Sequence, residues 1–72
     1  MLEQLTHDSS HVVSSAYDSQ KQMLMVMFKH QNARYVYMGI NPSIYQQFKQ
    51  AKSVGSFVNN ILKPNFRGTR VS

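Results

Sequence analysis

Cysteine and tryptophan are absent from this chain of 72 residues, glycine occurs three times, proline twice, and acidic side chains number three. Without cysteine there is no disulfide framework and no thiolate metal site, so nothing points to an oxidising compartment. Gly39, Gly55 and Gly68 stand too far apart to form a phosphate-cradling loop. His7, His11 and His30 are scattered, and no paired carboxylate or His-x-x-x-His spacing offers acid–base or zinc chemistry. The expectation is a non-enzyme with no metal, no cofactor and no small-molecule substrate. No apolar run approaches the roughly 20 residues that span a bilayer, and the amino terminus lacks a basic stretch followed by an apolar one. An unexported, cytoplasmic protein is expected.

Acidic residues are missing altogether beyond position 18. Glu3, Asp8 and Asp18 precede all eight Lys and Arg, and the formal net charge is +5 with a pI near 9.9. A field this lopsided attracts polyanions, and nucleic acid or an acidic protein face is the expected partner rather than a membrane. Basic side chains that merely keep a small domain in solution account for the same letters. A chain this short buries a smaller share of its surface than an average domain, so a partner or a second copy would help it.

What is present is organised around Met23 to Met38. Met-Leu-Met-Val-Met-Phe and Tyr-Val-Tyr-Met are strand-like runs about a polar connector, and they predict a β-hairpin. A turn centred on Gln31 and Asn32 would set Phe28 opposite Tyr35, Met27 opposite Val36 and Val26 opposite Tyr37. Alternation puts Leu24, Val26, Phe28, Tyr35 and Tyr37 on one face, and Met23, Met25, Met27, Lys29, Arg34, Val36 and Met38 on the other. Residues 11–17 predict a strand before the hairpin, with Val13 and Tyr17 on one side and Val12 and Ala16 on the other. Asp18 supplies the intervening turn. Asn41 and Pro42 read as the N-cap and first position of a helix whose stripe is Ile44, Tyr45, Phe48 and Ala51. Ser53 caps a second helix carrying Val54, Phe57, Val58, Ile61 and Leu62, which Pro64 stops, and Gly55 allows close packing. The fold class is α+β: a three-stranded antiparallel meander followed by two helices packed on one face. Residues 1–10 read as a flexible lead-in, 11–63 as the domain, and 64–72 as a basic tail.

Tyr17-Asp18, the alternation of Leu24, Val26 and Phe28, the Tyr35–Tyr37 pair, Gly39-Ile40 with Pro42, Ile44-Tyr45, and Ala51, Ser53, Gly55, Phe57, Asn59 and Ile61 together resemble the KTSC domain. That family is named from an extension at the carboxyl end of some lysyl-tRNA synthetases, and it also occurs as small stand-alone proteins. The resemblance covers roughly residues 9–63. It implies RNA binding through the fusion to a synthetase, and a bacterial or phage origin, hence the host cytoplasm if a phage encodes the chain. The family's hairpin turn commonly carries Gly where this chain has His30-Gln31-Asn32.

Three groups of side chains are candidates for function. Tyr35, Tyr37 and Phe28 would stack unpaired bases if exposed, or would form core beneath the helices. Met23, Met25, Met27, Val36 and Met38 make an adaptable apolar patch suited to a homodimer or an acidic protein partner, or they fill gaps beneath the amino-terminal segment. Lys49, Lys52, Lys63, Arg67 and Arg70, with Phe66 among them, would contact phosphates, as would Lys29 and Arg34 at the hairpin end. The leading expectation is a small basic module that binds nucleic acid, RNA before DNA. The alternative is a protein-interaction module, such as a small phage protein that occupies a host target through the Met face.

Overall fold

The computed structural model describes residues 2–71. Every pair of neighbouring strands in it is antiparallel. The strands are β1 (Leu2–Thr6), β2 (Val12–Asp18), β3 (Met23–Phe28), β4 (Arg34–Met38) and β5 (Gly68–Arg70), and their order across the sheet is their order in the chain. The three-stranded expectation is thus short by two. β1 falls inside the expected lead-in and β5 inside the expected tail, where each becomes an edge; Met1 and Ser72, the outermost residues of those segments, lie outside the described residues. Neither edge alternates apolar and polar residues cleanly enough to be read as a strand, because each is held by contacts from elsewhere in the chain.

The central hairpin forms, but its pairing slips by two residues. Phe28 N–H donates to Ala33 O at 2.8 Å, leaving Lys29–Asn32 as the loop, and Val26 faces Tyr35, Leu24 faces Tyr37 and Met25 faces Val36. No glycine is available there, so Gln31 and Asn32 themselves take left-handed dihedrals, with φ of 58° and 49°. A slip of two preserves the pleat, so the expected division of side chains between the β3 and β4 faces holds. In β2 a bulge lies between Val12 and Ser14. It overturns the expected alternation by turning Val12 to the same side as Tyr17, and both are buried.

At the start of α1 (Pro42–Gln50), Ile44 N–H donates to Asn41 Oδ1 at 2.9 Å and Pro42 occupies the first turn. The second helix opens where Ser56 N–H donates to Ser53 Oγ at 3.2 Å. It does not stop at Pro64. The backbone is α-helical over Val54–Phe57, widens to a π-helix over Val58–Leu62 and returns to α over Lys63–Asn65, forming one continuous helix, α2 (54–65). A proline in a regular helix removes one bond and crowds the carbonyl four residues back, and the wider turn just before Pro64 relieves that conflict. It also leaves Ile61, expected on the apolar stripe, 40% exposed, while Val58 and Leu62 stay buried.

Both helices cover the same face of the sheet. The core between the layers holds Val12, Tyr17, Leu24, Val26, Tyr37, Ile40, Tyr45, Phe48, Val54, Val58 and Leu62. Tyr17 and Tyr45 stack at 4.0 Å between ring centroids, and Tyr17 Oη donates to the Ile40 carbonyl at 2.6 Å. Among the described residues no helix is long and apolar enough to cross a membrane.

Candidate binding surfaces

Because strand order follows chain order, the acids, confined to the first 18 residues, fall on or between β1 and β2. The three carboxylate side chains belong to the β1–β2 side. Glu3 accepts from Tyr45 Oη at 2.5 Å and from Lys49 Nζ at 3.2 Å, and these hydrogen bonds, Tyr45 first, hold its carboxyl below the usual value of 4.5. Asp8 lines a shallow depression with Lys49 and Lys52, and Asp18 lines another with Lys21. Lys29 lies in the loop between β3 and β4, Arg34 on β4, Lys63 on α2, and Arg67 and Arg70 just before and on β5. Of the acids and their neighbouring lysines, Glu3 and Lys49 form an ion pair at 3.2 Å. Lys49 and Lys52, expected among phosphate contacts, are therefore placed with acids.

Four of the expected nucleic-acid contacts come together in one cleft. It holds about 280 Å³ and is lined by Ser10, His11, Phe28, Lys29, His30, Gln31, Ala33, Tyr35, Lys63 and Arg70, with no carboxylate side chain in its wall. Lys29 N–H donates to the His11 carbonyl at 2.8 Å, which fixes the loop of the central hairpin against the start of β2. His11 packs on Gly55, where an added Cβ would stand 3.3 Å from the His11 Cβ, so a glycine in the first turn of α2 permits the approach. Phe28 and Tyr35 meet edge to face at 5.6 Å, and Lys63 Nζ sits 5.6 Å from the Phe28 ring centroid. Arg70 pairs with Tyr35 across β4 and β5.

The remaining expected contacts lie elsewhere. Tyr37 is 1% exposed and burial raises its phenol above the usual 10, so it offers no ring face to a base and is corrected to a core residue. Phe66 packs against the core, and Arg67 is exposed ahead of β5. Arg34 points to the opposite face of the sheet. His11 and His30, scattered in the sequence, both line the cleft, and no periodicity signals it, because it depends on the hairpin loop bonding to the start of β2 through Lys29. Among the described residues no three His, Asp or Glu side chains gather as metal ligands.

The uncovered face carries Met23, Met25, Met27, Val36 and Met38, as alternation requires. Leu2 is 59% and Met38 51% exposed, and the other four are half-buried. Its β1–β2 half is more polar, with Gln4, Thr6, Ser14 and Ala16 beside Met25, Met27 and Arg34 around a broad depression of about 520 Å³.

The KTSC domain family model matches residues 8–66. The chain belongs to the KTSC domain family. A small protein of Tsukamurella paurometabola is 37% identical over 60 residues, covering 83% of this chain and 88% of that one. The crystal structure of a KTSC domain protein from Yersinia pestis is similar with a TM-score of 0.89 at 28% identity, and the likeness covers all of both chains. Within the KTSC match fall all the cleft residues except Arg70. Many of the residues that carry the KTSC resemblance have scaffold roles: Tyr17 bonds the Ile40 carbonyl, Gly39 takes a φ of 77° into α1, Pro42 opens that helix, Ser53 caps the next, and Gly55 seats His11.

Proposed function

We propose that this KTSC domain is a non-enzymatic module of the bacterial or host cytoplasm that binds nucleic acid, RNA before DNA, along its β4–β5 side. The observation that carries the reading is the cleft that joins Lys29, Lys63 and Arg70 to the half-buried rings of Phe28 and Tyr35, with no carboxylate side chain in its wall. Cations beside accessible rings are the combination by which proteins hold unpaired strands, the cations meeting phosphates and the rings meeting bases. Duplex DNA is less well served, because reading its major groove takes a projecting helix or ribbon, and both helices here lie packed on the sheet.

The test is fluorescence anisotropy with a short single-stranded RNA across a salt series. Three phosphate contacts lower the logarithm of affinity by about 2 per decade of salt on a single strand. The double variant Lys29→Glu, Lys63→Glu loses affinity at every salt concentration. Affinity indifferent to salt and to that variant would sink the reading.

A second reading is favoured by the exposure of Leu2 and Met38 beside the other thioethers on the uncovered face: a protein partner, or a second copy, seated there. That interaction would fail in Met25→Asp and ignore Lys63→Glu.

A further inference from the structure

We infer that the cleft is a subsite for one unpaired RNA base and its adjoining phosphate, a deepening that rests on the nucleic-acid reading above. Size is the first ground. About 280 Å³ lies just below the roughly 300–1,000 Å³ typical of pockets that hold a whole small ligand, so the cleft has room for one nucleotide-sized group and no longer stretch of chain. The arrangement of its walls is the second. Phe28 and Tyr35 form an apolar corner, and Lys63 Nζ lies over the Phe28 ring at 5.6 Å. A lysine there is held by a weak cation–ring attraction, so an entering base takes its place against the ring while the ammonium swings to the phosphate beside it. Lys29 meets the same phosphate from the hairpin end.

Gln31 supplies the third ground. It lines the cleft from a left-handed backbone position, φ 58°, that glycine would occupy without steric cost. The chain instead keeps there a side chain with both a donor and an acceptor, the pair needed to read the edge of a base. Strain retained at the mouth of a cleft directs attention to what the side chain does.

The test compares four labelled probes against the full chain by fluorescence anisotropy: a short oligoadenylate, an oligouridylate, an abasic ribose–phosphate chain of the same length, and a blunt RNA duplex. The expected result is that at least one of the two base-bearing single strands binds roughly tenfold more tightly than both the abasic chain and the duplex, as one stacked base would contribute. Gln31→Gly, which relaxes the turn, removes about threefold or more of that preference. If all four probes bind alike and still respond to salt, the base subsite is wrong and the polyanion reading stands. If none binds, both fall. A Gln31→Gly variant that discriminates as well as the parent removes Gln31 from the subsite and overturns the assignment made to it.

Discussion

Across the pair of β4 and β5, Tyr37 lies so close over Gly68 that a Cβ there would stand 2.6 Å from Tyr37 Cε1. The ring, itself 1% exposed, cannot retreat, and it closes over the bare backbone of a strand only three residues long. This contact, with Val71 N–H donating to the Arg34 carbonyl at 2.8 Å, fixes the segment that carries Arg70 to the cleft.

Gly68→Ala is therefore expected to detach β5. Overpacking costs about 1–3 kcal/mol, with the upper limit set by what the strand contributes. Thermal unfolding together with hydrogen exchange at the Val71 amide checks this; unchanged protection of that amide would show that the ring gives way after all.

Tyr17→Phe keeps the stack on Tyr45 and removes the donor to the buried Ile40 carbonyl. A buried acceptor left without a partner costs about 1–3 kcal/mol, and urea denaturation should show that loss with little change in slope. A loss well below the lower figure would mean that water replaces the hydroxyl.

Stability should fall on both sides of neutrality, for separate reasons. Burial, then the hydrogen bond to Glu3, raises the Tyr45 phenol above the usual 10, so the stability it contributes is complete below that value and is lost as pH climbs through the raised one. Glu3 is held below 4.5, so its contribution is complete above 4.5 and is lost as pH falls through the lowered value. Tyr45→Phe should flatten both limbs of a melting-temperature profile, though Tyr17 and Tyr37, also raised by burial, keep part of the alkaline fall.

His7 should add a sensitivity nearer neutrality. Its ring meets Phe48 at 5.4 Å, its Nε2 bonds Ser15 Oγ at 2.8 Å, and burial lowers it below the usual 6.5. A lowered histidine contributes stability that is complete above 6.5 and is lost as pH falls toward the lowered value, since the unfolded chain takes up the proton first. His7→Gln should remove most of the change in melting temperature between about pH 7 and about pH 5; a profile unaltered by the substitution would place the titrating group elsewhere.

Opposite faces of the sheet should answer differently to the same charge reversal. Lys63→Glu is expected to weaken RNA binding by about tenfold and Arg34→Glu by less than about threefold at physiological salt, where the screening length is about 8 Å. Equal losses would mean that net charge, rather than the cleft, governs binding.

Much of this protein was legible from local rules. The hairpin's two faces, the Asn41 and Ser53 caps, Pro42 and the buried stripe Tyr45–Phe48 each follow from interactions within a turn or two of chain, where spacing and side-chain type suffice. Even the misplaced turn did no harm to the face assignment, because a slip of two restores the pleat. The strand at 12–18 was harder: one extra residue at its bulge reversed Val12, and a bulge leaves no mark in the pattern of apolar letters.

The sequence by itself determined the meander, the two capped helices and the surplus of positive charge. Only the tertiary structure decided that Leu2–Thr6 is a strand, that α2 runs through Pro64, that Tyr37 is core, and that His11, Lys29 and Lys63 share a cleft. The reason is reach. Glu3 is held by Tyr45, 42 positions away, and the cleft joins residues from both ends of the chain. Contacts at such separations form only once the sheet has closed, and no periodicity within a segment encodes them.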